Sequence, residues 1–342
     1  MLFEENVPLA GMTTMKVGGV ARYFCTATTE EEVIEGVRYA KERNLSLFIL
    51  GGGSNILVSD EGYYGLVMQI ALKDIVVAED DGEIFFTVDA GYVWDEFVAQ
   101  AVARGAWGVE NLSSIPGCVG GAVVQNIGAY GAEVKNSVLN VTVYDPNLSG
   151  VRTLSNAECC FGYRDSIWKH DGRELVVLRV TFRLLLKGKP NILYKDLAAY
   201  FLEKGNITPI LQDIREAVQS IRRAKFPDLR TMGTAGSFFK NPIVTKEKAD
   251  EFLHAYPLAP HYDAPNGNIK LSAAWIIDNI LHLRGERVGN VGCFSAQALV
   301  IVNYGGASCE EIKKFTRNII TRTKNNIAIT LEPEVIFVDE KK

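Results

Sequence analysis

The sequence lacks the clustered cysteines and histidines of a metal centre. Its four histidines are scattered, and none of the six cysteines belongs to a Cys-x-x-Cys pair, the spacing typical of zinc and iron–sulfur sites. We therefore predict no metal ligands.

Excess positive charge and long apolar runs are also missing. The net charge of -5 argues against a surface for nucleic acid or anionic lipid. No apolar run is long enough to span a bilayer, and the first residues are acidic where a signal peptide is basic. We expect a cytoplasmic monomer that binds neither nucleic acid nor membrane.

A Rossmann fingerprint is the third absence, because no Gly-x-Gly-x-x-Gly opens a helix directly after a strand. The chain has two other glycine loops, at residues 51–55 and 113–131, and the first leads into the strand-like run 56–58. Backbone amides of such loops could bridge the pyrophosphate of one extended ligand. The alternative, buried turns packed tightly on themselves, stays open on composition alone.

The length of 342 residues favours two or three domains, and hydrophobic patterning predicts alternating elements. Strands are predicted at 20–27, 45–50, 66–72, 84–90, 139–144, 174–186 and 327–338. Helices are predicted at 28–44, 93–104, 195–204, 209–223 and 308–322. Thr208 is the expected N-cap before Pro209.

Three segments carry candidate chemistry, each with a simpler structural interpretation. Ser237, after Gly236 and before two phenylalanines, is either a turn serine or a proton donor in a dry pocket. Glu332 and Glu334 share one face of the predicted last strand and either face solvent or meet a cation. Arg164, between Tyr163 and Asp165, is either a surface ion-pair residue or a carboxylate clamp.

Five motifs in register resemble the UDP-N-acetylenolpyruvoylglucosamine reductase family of peptidoglycan synthesis, in its tyrosine-loop (type I) branch. They are Leu-Gly-Gly-Gly-Ser-Asn at 50–55, Ile-Pro-Gly-Cys-Val-Gly-Gly at 115–121 with Gln-Asn-Ile-Gly-Ala-Tyr-Gly at 125–131, Gly-Tyr-Arg-Asp-Ser at 162–166, Gly-Ser-Phe-Phe-Lys-Asn-Pro at 236–242, and Leu-Glu-Pro-Glu-Val at 331–335. The resemblance covers nearly the whole chain.

The resemblance implies an α+β fold: a two-lobed FAD-binding domain of the vanillyl-alcohol oxidase (PCMH) type and a C-terminal α/β substrate-binding domain. The lobes are expected at 1–72 and 73–224, with the PCMH-type part at 17–187 followed by the tyrosine-bearing segment and a helical connection. The substrate domain is expected at 225–342, with a last strand able to return to the FAD domain.

The implied reaction is NADPH-dependent reduction of UDP-N-acetylglucosamine enolpyruvate to UDP-N-acetylmuramate through non-covalent FAD. Ser237 matches the family's proton donor, and Arg164 and Glu334 match the residues that stabilise the enolate. The residues expected to contact FAD are Gly51, Gly52, Gly53, Ser54, Asn55, Ile115, Pro116, Gly117, Cys118, Gly120, Gly121, Asn126 and Gly128. Those expected to contact the UDP-sugar are Tyr163, Tyr194, Lys225 and Asn241.

Cys118 departs from the family pattern, which has serine or threonine at this position. Two competing functions remain at this point. One is an oxidase of the same fold that is reoxidised by oxygen, and the other is a non-catalytic UDP-sugar binder. Production of peroxide separates the first from the reductase, and flavin content together with NADPH consumption separates the second.

Overall fold

A computed structural model describes residues 1–205 and 208–339. The first lobe contains β1 (Glu4–Pro8), β2 (Val20–Ala27), α1 (Glu30–Glu42), β3 (Leu47–Leu50), β4 (Ile56–Val58) and β5 (Tyr63–Ile70). Its sheet has the order β1-β2-β5-β3, with β2, β5 and β3 parallel and β1 antiparallel at the edge. Helix α1 begins where the capping pattern predicts, because the Thr29 side chain accepts a hydrogen bond from the Glu32 N–H.

The second lobe is built on an antiparallel sheet. Its elements are β6 (Ile75–Asp80), β7 (Glu83–Asp89), α2 (Trp94–Ala103), α3 (Val119–Val124), β8 (Gly128–Ala129), β9 (Ala132–Glu133), β10 (Val138–Asp145), β11 (Gly150–Ser155) and β12 (Val176–Leu185). The sheet order is β11-β10-β12-β7-β6. Alternation along β7 buries Phe86 against Phe97 of α2. Met68 of β5 belongs to the same apolar cluster, so the two lobes share one core.

A helical hairpin of α4 (Lys195–Lys204) and α5 (Leu211–Lys225) follows. The predicted start of the second helix at residue 209, with Thr208 as N-cap, is wrong. The Asp213 carboxylate accepts the Ile210 N–H at 3.1 Å, which makes Ile210 the capping residue. The helix also continues to Lys225, beyond the predicted end at 223.

The third region contains β13 (Gly233–Ser237), β14 (Ile243–Val244), α6 (Lys246–Ala255), β15 (His261–Asp263), β16 (Ile269–Leu271), α7 (Ala273–Trp275), β17 (Arg287–Val288), β18 (Val291–Phe294), β19 (Gln297–Asn303), α8 (Cys309–Ile327) and β20 (Ile336–Val338). One sheet has the order β13-β19-β18-β17 and a smaller one the order β14-β16-β15. Among the described residues, no helix is long and apolar enough to cross a membrane.

The predicted strand at 327–338 is wrong over most of its length. Helix α8 continues to Ile327, and Ala328 ends it with φ +51°. Two parts of this segment pair as strands: β20 pairs in parallel with β4 of the first lobe, and Pro333 forms a single antiparallel bridge with Phe239. Glu332 and Glu334 flank this bridge, but their surroundings differ, because their side chains are 76% and 14% exposed.

Segments from both ends of the chain tie the third region to the first lobe. The Thr14 hydroxyl donates to the Thr234 carbonyl at 2.7 Å, and the Asn303 amide donates to the Met15 carbonyl at 3.0 Å. Met15 and Leu57 are buried in the core of the third region. Because the Thr14 N–H also donates to the Gly53 carbonyl, these contacts hold the first glycine loop against the strand that ends in Ser237.

Candidate active site

A cavity of about 890 Å³ lies where the three regions meet. Both glycine loops line it, and so do Arg164, Ser237 and Glu334. These three side chains come from distant parts of the sequence, and the fold brings them to one wall.

The two glycine loops contact each other directly. The Ser54 hydroxyl donates to the Pro116 carbonyl at 2.9 Å. A Cβ on Gly52 would lie 2.7 Å from the Gly117 Cα, and one on Gly51 would lie 2.6 Å from the Cys118 Sγ. Glycine is therefore required by this close approach. The loops are both tightly packed and exposed to the cavity, so the two interpretations of the sequence are compatible.

The cavity fits an extended cofactor such as the FAD that the sequence resemblance implies. One part of the wall is apolar and includes Ile70, Leu175 and Val177. Elsewhere the wall presents backbone of the glycine loops together with arginines, a combination suited to a diphosphate. These arginines are Arg173, Arg222, Arg223 and Arg230.

Nearly all the residues predicted to contact the cofactor lie in this wall. They are Gly51, Gly52, Gly53, Ser54, Asn55, Ile115, Pro116, Gly117, Cys118, Gly120, Gly121 and Gly128. Cys118 is buried, and burial raises the pKa of its thiol, which keeps the sulfur protonated and a poor nucleophile.

Asn126 is the exception, because it is fully buried and lies outside the cavity wall. Its amide nitrogen donates to the Gly162 carbonyl at 2.7 Å and to the Glu133 carboxylate at 3.1 Å. Its side-chain oxygen accepts the Lys135 N–H. Since these protein partners occupy both ends of the amide, Asn126 supports the turn before Arg164.

Arg164 and Glu334 form the polar centre of the wall. The Arg164 Nε donates to the Glu334 Oε1 at 2.8 Å, and its Nη2 donates to the Gly128 carbonyl at 2.5 Å. The Gln125 amide donates to the same Glu334 oxygen at 3.3 Å. Glu334 thus meets a cation, as the sequence allowed. Gln125 was missed, although it stands in a recognised motif, because nothing in the pattern separates it from Asn126.

Glu334 lies beside Ser237 because the two segments run together. The Phe238 carbonyl accepts the Glu334 N–H at 2.8 Å, and the Asn55 amide donates to the Glu334 carbonyl at 3.1 Å. Gly236, with φ +79°, provides the left-handed turn immediately before Ser237. The first glycine loop therefore helps to fix the backbone of Glu334.

The residues predicted to hold the UDP-sugar lie outside the large cavity. The Tyr163 hydroxyl accepts the Asn241 N–H at 3.2 Å, and both residues line a second recess of about 560 Å³. The Lys225 Nζ contacts Asp196 at 2.6 Å. Tyr194 packs edge-on against Tyr130, and burial raises the pKa of its phenol to about 12.

Comparison with known proteins covers the whole chain. Residues 21–153 match the model of an FAD binding domain, and residues 228–338 match the model of the UDP-N-acetylenolpyruvoylglucosamine reductase C-terminal domain. The chain is 39% identical over 339 residues to UDP-N-acetylenolpyruvoylglucosamine reductase of Chromobacterium violaceum, across 98% of this chain and 99% of that protein. The reductase of Porphyromonas gingivalis is 37% identical over 340 residues, across 99% and 100% of the two chains.

Solved structures agree with this relationship. The UDP-N-acetylenolpyruvylglucosamine reductase of Thermus caldophilus superimposes with a TM-score of 0.69 at 26% identity, across 99% of this chain and 100% of that one. The predicted fold class, an FAD-binding PCMH-type domain followed by a reductase C-terminal domain, is confirmed. The chain is an FAD-containing oxidoreductase that belongs to the UDP-N-acetylenolpyruvoylglucosamine reductase family of peptidoglycan synthesis.

Proposed function

We propose that the protein reduces UDP-N-acetylglucosamine enolpyruvate to UDP-N-acetylmuramate with NADPH as the reductant. The observation that carries this proposal is the convergence of Arg164, Ser237 and Glu334 on one cavity wall beside both glycine loops. When bound, FAD supplies the means of carrying hydride from NADPH to the enolpyruvyl C3. NADPH thus provides two electrons, and a proton must reach C2.

Arg164 stabilises the charge that develops on the substrate. When C3 gains hydride, negative charge spreads over C2 and the adjoining carboxylate, and a fixed guanidinium favours that distribution. The Glu334 Oε1 already accepts hydrogen bonds from Arg164 and Gln125. Glu334 contributes to this stabilisation because it holds the Arg164 guanidinium in place beside the developing charge.

Ser237 delivers the proton to C2. A serine hydroxyl is a very weak acid, but it is adequate toward the strongly basic carbon of an enolate. Its place in the cavity wall, one residue before the carbonyl that holds the Glu334 backbone, supports this role. The UDP portion is assigned to Tyr163, Asn241, Lys225 and Tyr194, among which Lys225 supplies the cation for a diphosphate.

The purified protein should be yellow, and its flavin should be released by denaturation because the binding is non-covalent. Oxidation of NADPH beyond one equivalent per flavin should require the enolpyruvyl UDP-sugar, and the product should be heavier than the substrate by two hydrogens. The measurements are the visible spectrum, NADPH absorbance and product mass. A colourless folded protein, or NADPH oxidation that produces peroxide without consuming the UDP-sugar, would contradict the proposal.

Replacement of Arg215 by methionine is expected to weaken FAD binding about tenfold. The Arg215 guanidinium donates two hydrogen bonds to the Asp95 carboxylate, at 2.7 and 2.9 Å. The same carboxylate accepts the Ser114 N–H at 2.6 Å. Ser114 has φ +59° and begins the second glycine loop. Loss of one partner of a partly buried ion pair costs about 2 kcal/mol, and here the loop would move.

Titration of apoprotein with FAD gives the dissociation constant that checks this expectation. Arg317→Met is the matched control, because its contact with Glu310 is exposed on both sides. If Arg215→Met lowers the melting temperature but binds FAD as tightly as Arg317→Met does, the Arg215–Asp95 ion pair has no role in flavin binding.

A further inference from the structure

The Arg164 backbone is held in a conformation that its side chain disfavours. Its φ is +53°, the left-handed region that costs a non-glycine residue roughly 1 kcal/mol or more. The turn is closed by reciprocal backbone hydrogen bonds between Gly162 and Asp165. Such a conformation persists only where surrounding contacts determine it.

Lys169 makes a side-chain contact with the Arg164 peptide itself. Its Nζ donates to the Arg164 carbonyl at 2.6 Å. Other braces act on the flanks: Asn126 on the Gly162 carbonyl, and the Ser166 hydroxyl on the Val124 carbonyl. Lys169 is thus placed to stabilise the left-handed turn at the residue that presents the guanidinium.

The charges around Lys169 do not form an ordinary stabilising ion pair. Within the described residues, no carboxylate lies within salt-bridge distance of its ammonium. The charged groups whose electrostatic fields reach this ammonium are the cations Lys240 and Arg164 and the carboxylates Glu334 and Asp165. The Asp165 carboxylate also contacts the His170 ring. Burial first, and then the charge of Lys240, lower the pKa of Lys169 to about 8.

We propose that Lys169 is a positioning residue, whose ammonium fixes the Arg164 turn and so aims the guanidinium at Glu334 and the substrate carboxylate. The inference rests on the proposed function in that Arg164 is taken to act on the substrate. A half-buried ammonium beside two other cations weakens the fold. The geometry that it imposes on Arg164 gives this lysine a role other than stabilisation of the fold.

The positioning role of Lys169 predicts that activity and stability change in opposite directions as the pH rises. Deprotonation above pH about 8 weakens the contact with the Arg164 carbonyl, so kcat/KM for the UDP-sugar falls. The folded pKa of Lys169 lies below its usual value of 10.5, so the unfolded chain holds more protons between these two pH values. The contribution of Lys169 to stability therefore rises with pH in this window while activity declines.

The test uses flavin-loaded protein carrying Lys169→Met, Lys169→Arg or, as a control at an exposed helical position, Lys314→Met. NADPH should reduce the flavin at the wild-type rate in all three. Reoxidation by the enolpyruvyl UDP-sugar should be about 10- to 100-fold slower in Lys169→Met. Lys169→Arg should recover at least a third of the wild-type rate and move the alkaline decline above pH 9, because arginine stays charged.

Three results overturn the inference and leave the proposed function standing. One is wild-type reoxidation and an unchanged pH profile in Lys169→Met. Another is a Lys169→Met variant that loses FAD, melts at a lower temperature and is slowed equally in both half-reactions. That combination indicates a structural role alone. The third is a Lys169→Arg variant as slow as Lys169→Met. Wild-type protein that is reduced by NADPH but never reoxidised by the UDP-sugar overturns the proposed function itself, and the positioning role with it.

Discussion

Replacement of Ser237 by alanine is expected to slow reoxidation of the reduced enzyme by the UDP-sugar about 10³-fold, within the range usual for loss of a general acid. Reduction of the flavin by NADPH should proceed at the wild-type rate, because no proton donor to C2 is needed in that half-reaction. The backbone of Ser237 pairs with Val300 in β13 and β19. Alanine keeps this pairing, so only the hydroxyl is lost.

Rapid mixing separates the two half-reactions by following flavin absorbance, first with NADPH alone and then with the UDP-sugar. A second signature is expected in the product, because water must deliver the proton when the hydroxyl is absent, and the configuration at C2 should become mixed. Ser220→Ala on α5 is the matched control. Reoxidation of Ser237→Ala within threefold of the wild-type rate would remove this residue from the role of proton donor.

Local sequence patterns predicted the elements whose determinants are local. The bounds of β2 agree with the prediction, and α1 starts at its capping residues because Thr29 and Glu32 are near neighbours. The extent of the last strand could not be predicted in this way. The apolar residues after α8 pack into the core of the third region, and β20 becomes a strand by pairing with β4. A local pattern contains no information about so distant a partner.

The same distinction separates the predicted site residues from the missed ones. Arg164, Ser237 and Glu334 stand in recognisable motifs, and all three line the cavity. Arg215 and Lys169 act on the backbone of neighbouring loops, through Asp95 and through the Arg164 carbonyl. Residues of this kind have no motif, because their role depends on a loop conformation that only the folded chain defines.

Replacement of Arg164 by methionine is expected to slow reoxidation by the UDP-sugar about 10²- to 10³-fold, again with normal reduction by NADPH. Arg164 contacts Glu334 and the Gly128 carbonyl at the same time, through two different nitrogens. Its loss leaves the Glu334 carboxylate without its cation and the developing substrate charge without a fixed donor. Removing one member of such a pair typically costs 2–5 kcal/mol, and we expect about 3–4 kcal/mol here.

Arg164→Lys distinguishes geometry from charge. A lysine ammonium is a point charge on a flexible stem, so it cannot reproduce the two divergent contacts of the guanidinium. We expect this variant to reoxidise about 10- to 100-fold more slowly than wild type but faster than Arg164→Met. Arg152→Met, which removes an ion pair with Asp145 in the same lobe, controls for general destabilisation. If Arg164→Lys matches the wild-type rate, positive charge alone is sufficient and the left-handed turn at Arg164 has no catalytic role. If it matches Arg164→Met, the reaction requires the planar guanidinium.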